Sequence, residues 1–177
     1  NPGPFSFVTR SDSSGAEDII IRGGGHAFPD GPRYIELDGQ VVFKGALKYM
    51  SAVSKEALEL AGVKKDKVDW FIAHQANTNI INGVAEKLDL EDKAINYIEG
   101  MGNISAASIL LAMSNAFRDG WLQQGDILQV AEFRKEFMQD IHQMARVACL
   151  LRGHQLAGLQ VVVRPEGVGC EVERESV

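Results

Sequence analysis

The chain has 177 residues, 45% hydrophobic and 24% charged, which is the composition of an ordinary globular protein with a core of its own. A formal net charge of −6 argues against nucleic acid as the main partner. No apolar run approaches the roughly 20 residues of a membrane span, so we expect no membrane-spanning helix. Residues 1–4 do not resemble a signal peptide and look like the cut edge of a longer chain.

Cysteine and histidine are too few and too scattered to form a disulfide framework or a metal site. The two cysteines, Cys149 and Cys170, have no such spacing, and the four histidines show no ligand pattern. We therefore expect no metal, and we expect a reducing, cytoplasmic location.

Periodicity predicts alternating strands and helices along most of the chain. Short apolar runs predict strands at 5–9, 18–22, 34–37, 68–73, 94–98 and 127–133. Apolar residues that recur every three or four positions predict helices at 40–61, 77–88 and 105–117. This alternation predicts an α/β fold in which helices cover a layered sheet.

The last 44 residues differ in composition from the rest. Residues 1–133 carry 8 Lys and 4 Arg against 18 acidic residues, whereas residues 134–177 carry 1 Lys and 5 Arg against 6. Periodicity predicts a helix over 135–151. Two interpretations stay open: a genuine C-terminal extension, or foreign sequence from a shifted reading frame.

Two polar corners follow neighbouring strands of the predicted sheet. His74 comes directly after the strand at 68–73, and Asn103 follows the strand at 94–98. Ligands in such sheets bind at the carboxyl ends of strands, which places both residues on one rim. An imidazole and an amide are uncharged donors that can stabilise a thioester oxyanion, although each is more often a structural side chain or a helix cap.

The motifs HQAN at 74–77 and GNISAAS at 102–108 resemble ketoacyl-acyl-carrier-protein synthase III, a condensing enzyme of the thiolase-like superfamily. The stretches at 37–47 and 118–133 resemble it too, so the likeness covers about 5–133. It implies the C-terminal half of an αβαβα layered fold, with helices packed on a mixed sheet. Residues 134–177 do not match the family.

The resemblance implies an acyltransferase of fatty-acid biosynthesis that joins an acyl-CoA to a malonyl thioester by decarboxylative condensation. His74 and Asn103 would be catalytic. Gly39 and Asn77 would contact the pantetheine arm.

The resemblance also places Phe43 and Phe133 in the substrate tunnel, although an aromatic residue in such a position is as readily part of the core. No cofactor is implied beyond the thioester substrates. The partners would be acyl-CoA, malonyl-acyl-carrier protein, the chain's own N-terminal half and a second copy in a homodimer.

Two departures from the family pattern matter. Asn79 stands where the family often has an arginine that helps to dock the carrier protein, and Arg134 begins a charged run in place of a glycine-rich strand pair. The final strand pair is therefore expected to be lost or replaced. The nucleophilic cysteine belongs to the N-terminal half, so the fragment should be inactive alone.

Two alternatives stay open. The chain could come from another member of the superfamily, such as a quinolone or polyketide starter synthase or a hydroxymethylglutaryl-type synthase. It could also be a non-catalytic pseudoenzyme or assembly partner with a replaced C-terminus.

Overall fold

The structure is a computed structural model that describes residues 6–133 and 146–152. Its strands and helices, in chain order, are β1 (Ser6–Arg10), β2 (Ile19–Ile20), β3 (Glu36–Leu37), α1 (Gly39–Ala61), β4 (Trp70–Ala73), α2 (Thr78–Leu88), α3 (Ile98–Met101), α4 (Ser108–Arg118), β5 (Ile127–Phe133) and β6 (Arg146–Arg152). Most of the predicted elements are present, and the strands at 18–22 and 34–37 are shorter than predicted.

A mixed sheet of four strands forms the centre of the fold. Its order is β1-β6-β5-β4, with β4 parallel to β5 and with β6 antiparallel to both of its neighbours. Strands β2 and β3 form a separate two-stranded antiparallel pair. The α/β class and the mixed sheet expected from the sequence are confirmed.

Helices cover both faces of the sheet, because β4 is apolar on both sides. Phe71 packs in a core with residues of α1 and α2, whereas Ile72, the next residue, packs with residues of α4 on the opposite face. Both side chains are fully buried, and burial of one such side chain contributes about 1.5–3 kcal/mol. The described residues thus form three layers, helix on sheet on helix.

Helix α1 is the longest element, with 23 residues. The side chain of Asp38 accepts hydrogen bonds from the backbone N–H groups of residues 40 and 41 at its start, and Gly62 ends it in the left-handed region at φ 63°. A Cβ on Gly83 would lie 2.7 Å from Leu47 Cδ2, so the glycine lets α1 and α2 approach closely. No helix among the described residues is long and apolar enough to cross a membrane.

The strand predicted at 94–98 is wrong. Only Ala94 forms a bridge beside Phe71, with one ladder bond from Ile95 N to the Phe71 carbonyl oxygen, and α3 already begins at Ile98. The physical reason is that the Gln75 side chain takes the next positions of the ladder. A side-chain amide replaces the neighbouring strand there, so the backbone leaves the sheet.

The helix predicted over 135–151 is also wrong for the residues of this segment that the structure describes. Residues Arg146–Arg152 form β6, while 134–145 lie outside the described residues, as do 153–177 with Cys170 and the apolar run at 159–163. Strand β6 lies between β5 and β1 and pairs along its whole length with β5. Pairing on two edges outweighs the local helical periodicity. The closing strand pair was expected to be lost or replaced, and one strand from this segment, β6, is present in the sheet.

The buried carboxamide of Gln75 holds the segment after β4 against the segment before α3. Its Nε2 donates to the carbonyl oxygens of Ala73 (2.8 Å) and Ile95 (3.3 Å), and its Oε1 accepts from Tyr97 N (2.8 Å). The side chain is fully buried. An amide is needed here because it carries two donors and an acceptor on one planar group.

Aromatic side chains close the outer edge of the α4 face. The rings of Trp70 and Trp121 stack with centroids 5.8 Å apart, and Tyr97 lies against Trp121 at 6.1 Å. The Tyr97 hydroxyl donates to Asp119 Oδ2 at 2.6 Å. Burial and this hydrogen bond raise the pKa of Tyr97 to about 12.

We predict that Gln75→Glu destabilises the protein by about 3 kcal/mol at neutral pH, because a carboxylate would face two carbonyl oxygens without a proton to donate. Denaturant-induced unfolding measures the change. The matched control is Gln124→Glu at an exposed position, which should change the free energy of unfolding by less than about 0.5 kcal/mol. Equal stability of the two variants would contradict the role given to Gln75.

Tyr97 should ionise well above the ordinary range of a tyrosine. Its pKa is raised above the unfolded value of 10.0, so its contribution to stability is fully present below pH 10 and is lost as the pH rises toward 12. Ultraviolet titration of tyrosinate, with Tyr97→Phe to assign the transition, measures this. Asp119→Asn should lower the pKa of Tyr97 without restoring the unfolded value, since burial is the larger cause. Identical titration curves for the wild-type protein and Tyr97→Phe would contradict the assignment.

Candidate functional site

The corner after β4 carries the first residue predicted to be catalytic. His74 N donates to the carbonyl oxygen of Ala131 at 2.9 Å, which extends the pairing of β4 with β5 by one residue. The chain then turns sharply, with Ala76 N donating to the His74 carbonyl oxygen at 2.8 Å. His74 is therefore held at the carboxyl end of β4, half-buried, as the sequence predicts.

The imidazole of His74 contacts the start of α4. Its Nδ1 lies 2.6 Å from the Ser108 hydroxyl oxygen, and the same oxygen accepts a hydrogen bond from Gln75 N at 3.1 Å. Ser108 is the first residue of α4 and is fully buried. One hydroxyl thus joins the HQAN corner to the GNISAAS segment.

Sequence reasoning missed the role of Ser108. It placed this residue in the GNISAAS motif and in the helix predicted at 105–117 without giving its side chain a partner. One signal was available: Ser108 is a hydroxyl residue that directly precedes the inward-facing apolar positions of α4, such as Ile109 and Ala112. A hydroxyl at a buried position needs a hydrogen-bond partner, and His74 provides it.

Asn103 lies in an exposed turn just before α4. Its Oδ1 accepts from Ser105 N at 3.0 Å, so the oxygen is used in a local turn. Among the residues that the structure describes, its Nδ2 makes no hydrogen bond and is available as a donor. The turn is tight, with Gly102 at φ 65° and Ser105, which is not a glycine, at φ 54°. Such a conformation in a residue with a side chain costs free energy and is common at functional sites.

The structure thus joins the two motifs through Ser108, while the two predicted catalytic residues take different surroundings. His74 is half-buried and hydrogen-bonded to Ser108, whereas Asn103 is exposed. The convergence of both side chains on one oxygen atom stays a prediction.

Gly39 and Asn77 begin the two helices on the other face. Gly39 is the exposed first residue of α1 and borders a shallow surface depression beside Glu36 and Asp38. Asn77 caps α2, its Oδ1 accepting from Asn79 N at 2.8 Å. The cap gives Asn77 a structural role, and the contact of both residues with a pantetheine arm stays a prediction.

Phe43 and Phe133 pack in the core between α1, α2 and the sheet. Phe133 is buried and stacks on Tyr49 with ring centroids 6.1 Å apart. A Cβ on Gly45 would lie 3.3 Å from the Phe133 ring, so α1 passes close over it. Phe43 is partly buried against the same core. Core packing accounts for both rings, and the tunnel-lining role stays a prediction.

Among residues 6–133, no three His, Cys, Asp or Glu side chains are grouped so that they could hold a metal ion.

Comparison with known proteins agrees with the motifs. Residues 58–133 match the family described as the C terminal of 3-oxoacyl-[acyl-carrier-protein] synthase III. The beta-ketoacyl-[acyl-carrier-protein] synthase III of Aquifex aeolicus is 43% identical over 123 residues, which are 69% of this chain and 38% of the relative.

Solved structures show the same likeness. The Aquifex aeolicus synthase III structure is 33% identical with a TM-score of 0.70, and the alignment covers 83% of this chain and 43% of that one. The corresponding structure from Pseudomonas aeruginosa is 28% identical with a TM-score of 0.72 and the same coverage of each chain.

The chain spans about two fifths of the length of the curated relatives that it matches, between 38% and 42%. The family match contains both HQAN and GNISAAS. The chain belongs to the 3-oxoacyl-[acyl-carrier-protein] synthase III family and represents the C-terminal part of its thiolase-like fold.

Proposed function

We propose that this chain is the C-terminal part of an acyltransferase that condenses an acyl-CoA with a malonyl thioester in fatty-acid biosynthesis. The observation that carries the proposal is the pairing of His74 with the GNISAAS segment through Ser108 at the carboxyl end of β4. Family membership supports the reaction class, and the geometry supports the part that these residues play in it.

In this proposal His74 and Asn103 donate hydrogen bonds to the carbonyl oxygen of the malonyl thioester. When the bond to the carboxylate breaks, CO₂ leaves and its bonding electrons move through the α-carbon to that oxygen as an enolate. Two neutral donors stabilise the new negative charge without a buried counter-charge that would itself need desolvation. The enolate carbon then attacks the acyl group on a cysteine of the N-terminal half, and the cysteine leaves as a thiolate.

An uncharged imidazole and an amide suit this chemistry as donors. Asn103 can offer Nδ2 as a donor, because its Oδ1 already accepts from Ser105 N. His74 can offer Nε2 because its Nδ1 faces Ser108. These two contacts support the assignment of His74 and Asn103 as catalytic.

Further parts of the proposal concern substrates and partners. Gly39 and Asn77 would contact the pantetheine arm, Phe43 and Phe133 would line the acyl tunnel, and no cofactor would be required. The complete protein would use acyl-CoA and malonyl-acyl-carrier protein, join this chain to its own N-terminal half, form a homodimer and act in the cytoplasm.

We also propose a division of the chain into residues 1–133, the condensing-enzyme domain, and residues 134–177, an atypical extension. The family match ends at 133, and the basic residues change there from mainly lysine to mainly arginine. The extension still contributes β6 to the sheet of the domain. We therefore favour a genuine extension over foreign sequence.

We predict that His74→Ala and Asn103→Ala in the full-length protein each lower the rate of malonyl decarboxylation by about 10²–10³, the typical cost of one oxyanion donor. Release of CO₂ from carboxyl-labelled malonyl thioester measures this step. Mass spectrometry should show that acyl transfer to the cysteine is retained, because the two residues act in the second half-reaction.

The controls are His26→Ala and Asn82→Ala, matched substitutions at exposed positions. Both should leave the decarboxylation rate unchanged. Normal decarboxylation in His74→Ala would overturn the role given to His74. Failure of the wild-type full-length protein to decarboxylate malonyl thioesters would favour the non-catalytic alternative.

A further inference from the structure

We propose that Ser108 is a positioning residue that holds His74 in the tautomer with its proton on Nε2. In this role Ser108 acts through His74, which its hydroxyl contacts. It rests on the proposed function only for its catalytic consequence, because the tautomer itself is a property of the folded chain.

The argument starts from the hydrogen-bonding capacity of one buried hydroxyl. Ser108 can donate one proton and accept through its lone pairs. Gln75 N is a backbone donor, so at 3.1 Å it must use an acceptor position of Ser108 Oγ. The hydroxyl proton is left for another partner.

Among the described residues, His74 Nδ1 is the one acceptor that hydrogen-bonds to this hydroxyl, at 2.6 Å. Because Ser108 is fully buried, a hydroxyl proton without an acceptor would destabilise the fold. The favoured arrangement therefore has the Ser108 hydroxyl donating to an unprotonated Nδ1. In a neutral imidazole the proton then lies on Nε2.

The opposite tautomer fits poorly. A proton on Nδ1 would make Ser108 Oγ accept two hydrogen bonds, from Nδ1 and from Gln75 N, and would leave the hydroxyl proton without a partner among the described residues. The backbone adds a constraint, since His74 N is fixed on the Ala131 carbonyl oxygen. The imidazole is thus restrained from the strand side and from the helix side.

The consequence for the proposed reaction is direct. An Nε2–H can donate to an enolate oxygen, whereas an unprotonated Nε2 would repel it. Ser108 would therefore set the fraction of His74 able to act as a donor. The fraction of His74 that carries its proton on Nε2 would then also depend on the packing of α4 against the sheet.

The test is ¹⁵N NMR of the full-length protein labelled in histidine, with His74→Ala to assign the signals. The wild-type protein should show an unprotonated Nδ1 and a protonated Nε2 for His74 at neutral pH. In Ser108→Ala the two nitrogen signals should move toward each other, because both tautomers become populated. Ser108→Thr, which keeps the hydroxyl, should restore the wild-type pattern.

The matched control is Ser114→Ala, which removes a serine hydroxyl from an exposed position of the same helix. It should leave the His74 signals and the activity unchanged. Ser108→Ala should lower the turnover number of malonyl decarboxylation about 10-fold, less than the loss of the donor itself, with little change in KM.

The outcomes separate the two proposals. A wild-type His74 with its proton on Nδ1, or a Ser108→Ala variant that loses activity with unchanged His74 signals, would overturn the inference about Ser108. An absence of decarboxylation in the wild-type protein would overturn the proposed function, and the NMR result would still decide the tautomer. If Ser108→Thr does not fold, the wild-type and Ser108→Ala spectra decide the question.

Discussion

The buried carboxamide of Gln75 is the interaction on which the arrangement of the rim depends. The side chain of Gln75 donates to the carbonyl oxygens of Ala73 and Ile95 and accepts from Tyr97 N. The backbone N–H of the same residue donates to Ser108 Oγ. Each of these groups would be costly to bury without a partner. The corner after β4, the segment before α3 and the start of α4 are therefore held together by one residue.

This constraint explains why a histidine and amides occur where a buried strand gives way to a helix. His74 is still attached to the sheet through Ala131, Gln75 points inward and replaces a neighbouring strand, and Asn77 caps α2. The half-buried imidazole of His74 lies beside Ser108. In the HQAN motif, two amides thus have structural roles next to the histidine.

The core and the rim were predictable to different degrees. Strand β4 is apolar on both faces, and helices α1 and α2 follow the apolar periodicity closely, because burial determines both. The strand predicted at 94–98 and the helix predicted over 135–151 were wrong for a common reason. In both places contacts distant in sequence, with Gln75 in one case and with β5 and β1 in the other, outweigh the local pattern.

The sequence by itself determined the fold class, the family and the position of His74 after a buried strand, since these follow from periodicity and from short motifs. Only the tertiary structure decided which partner each polar side chain takes. Ser108 is 34 positions from His74 along the chain, and no local pattern encodes their 2.6 Å contact. Such pairing is decided by how α4 packs on the sheet, because a buried hydroxyl must find its partner across the fold.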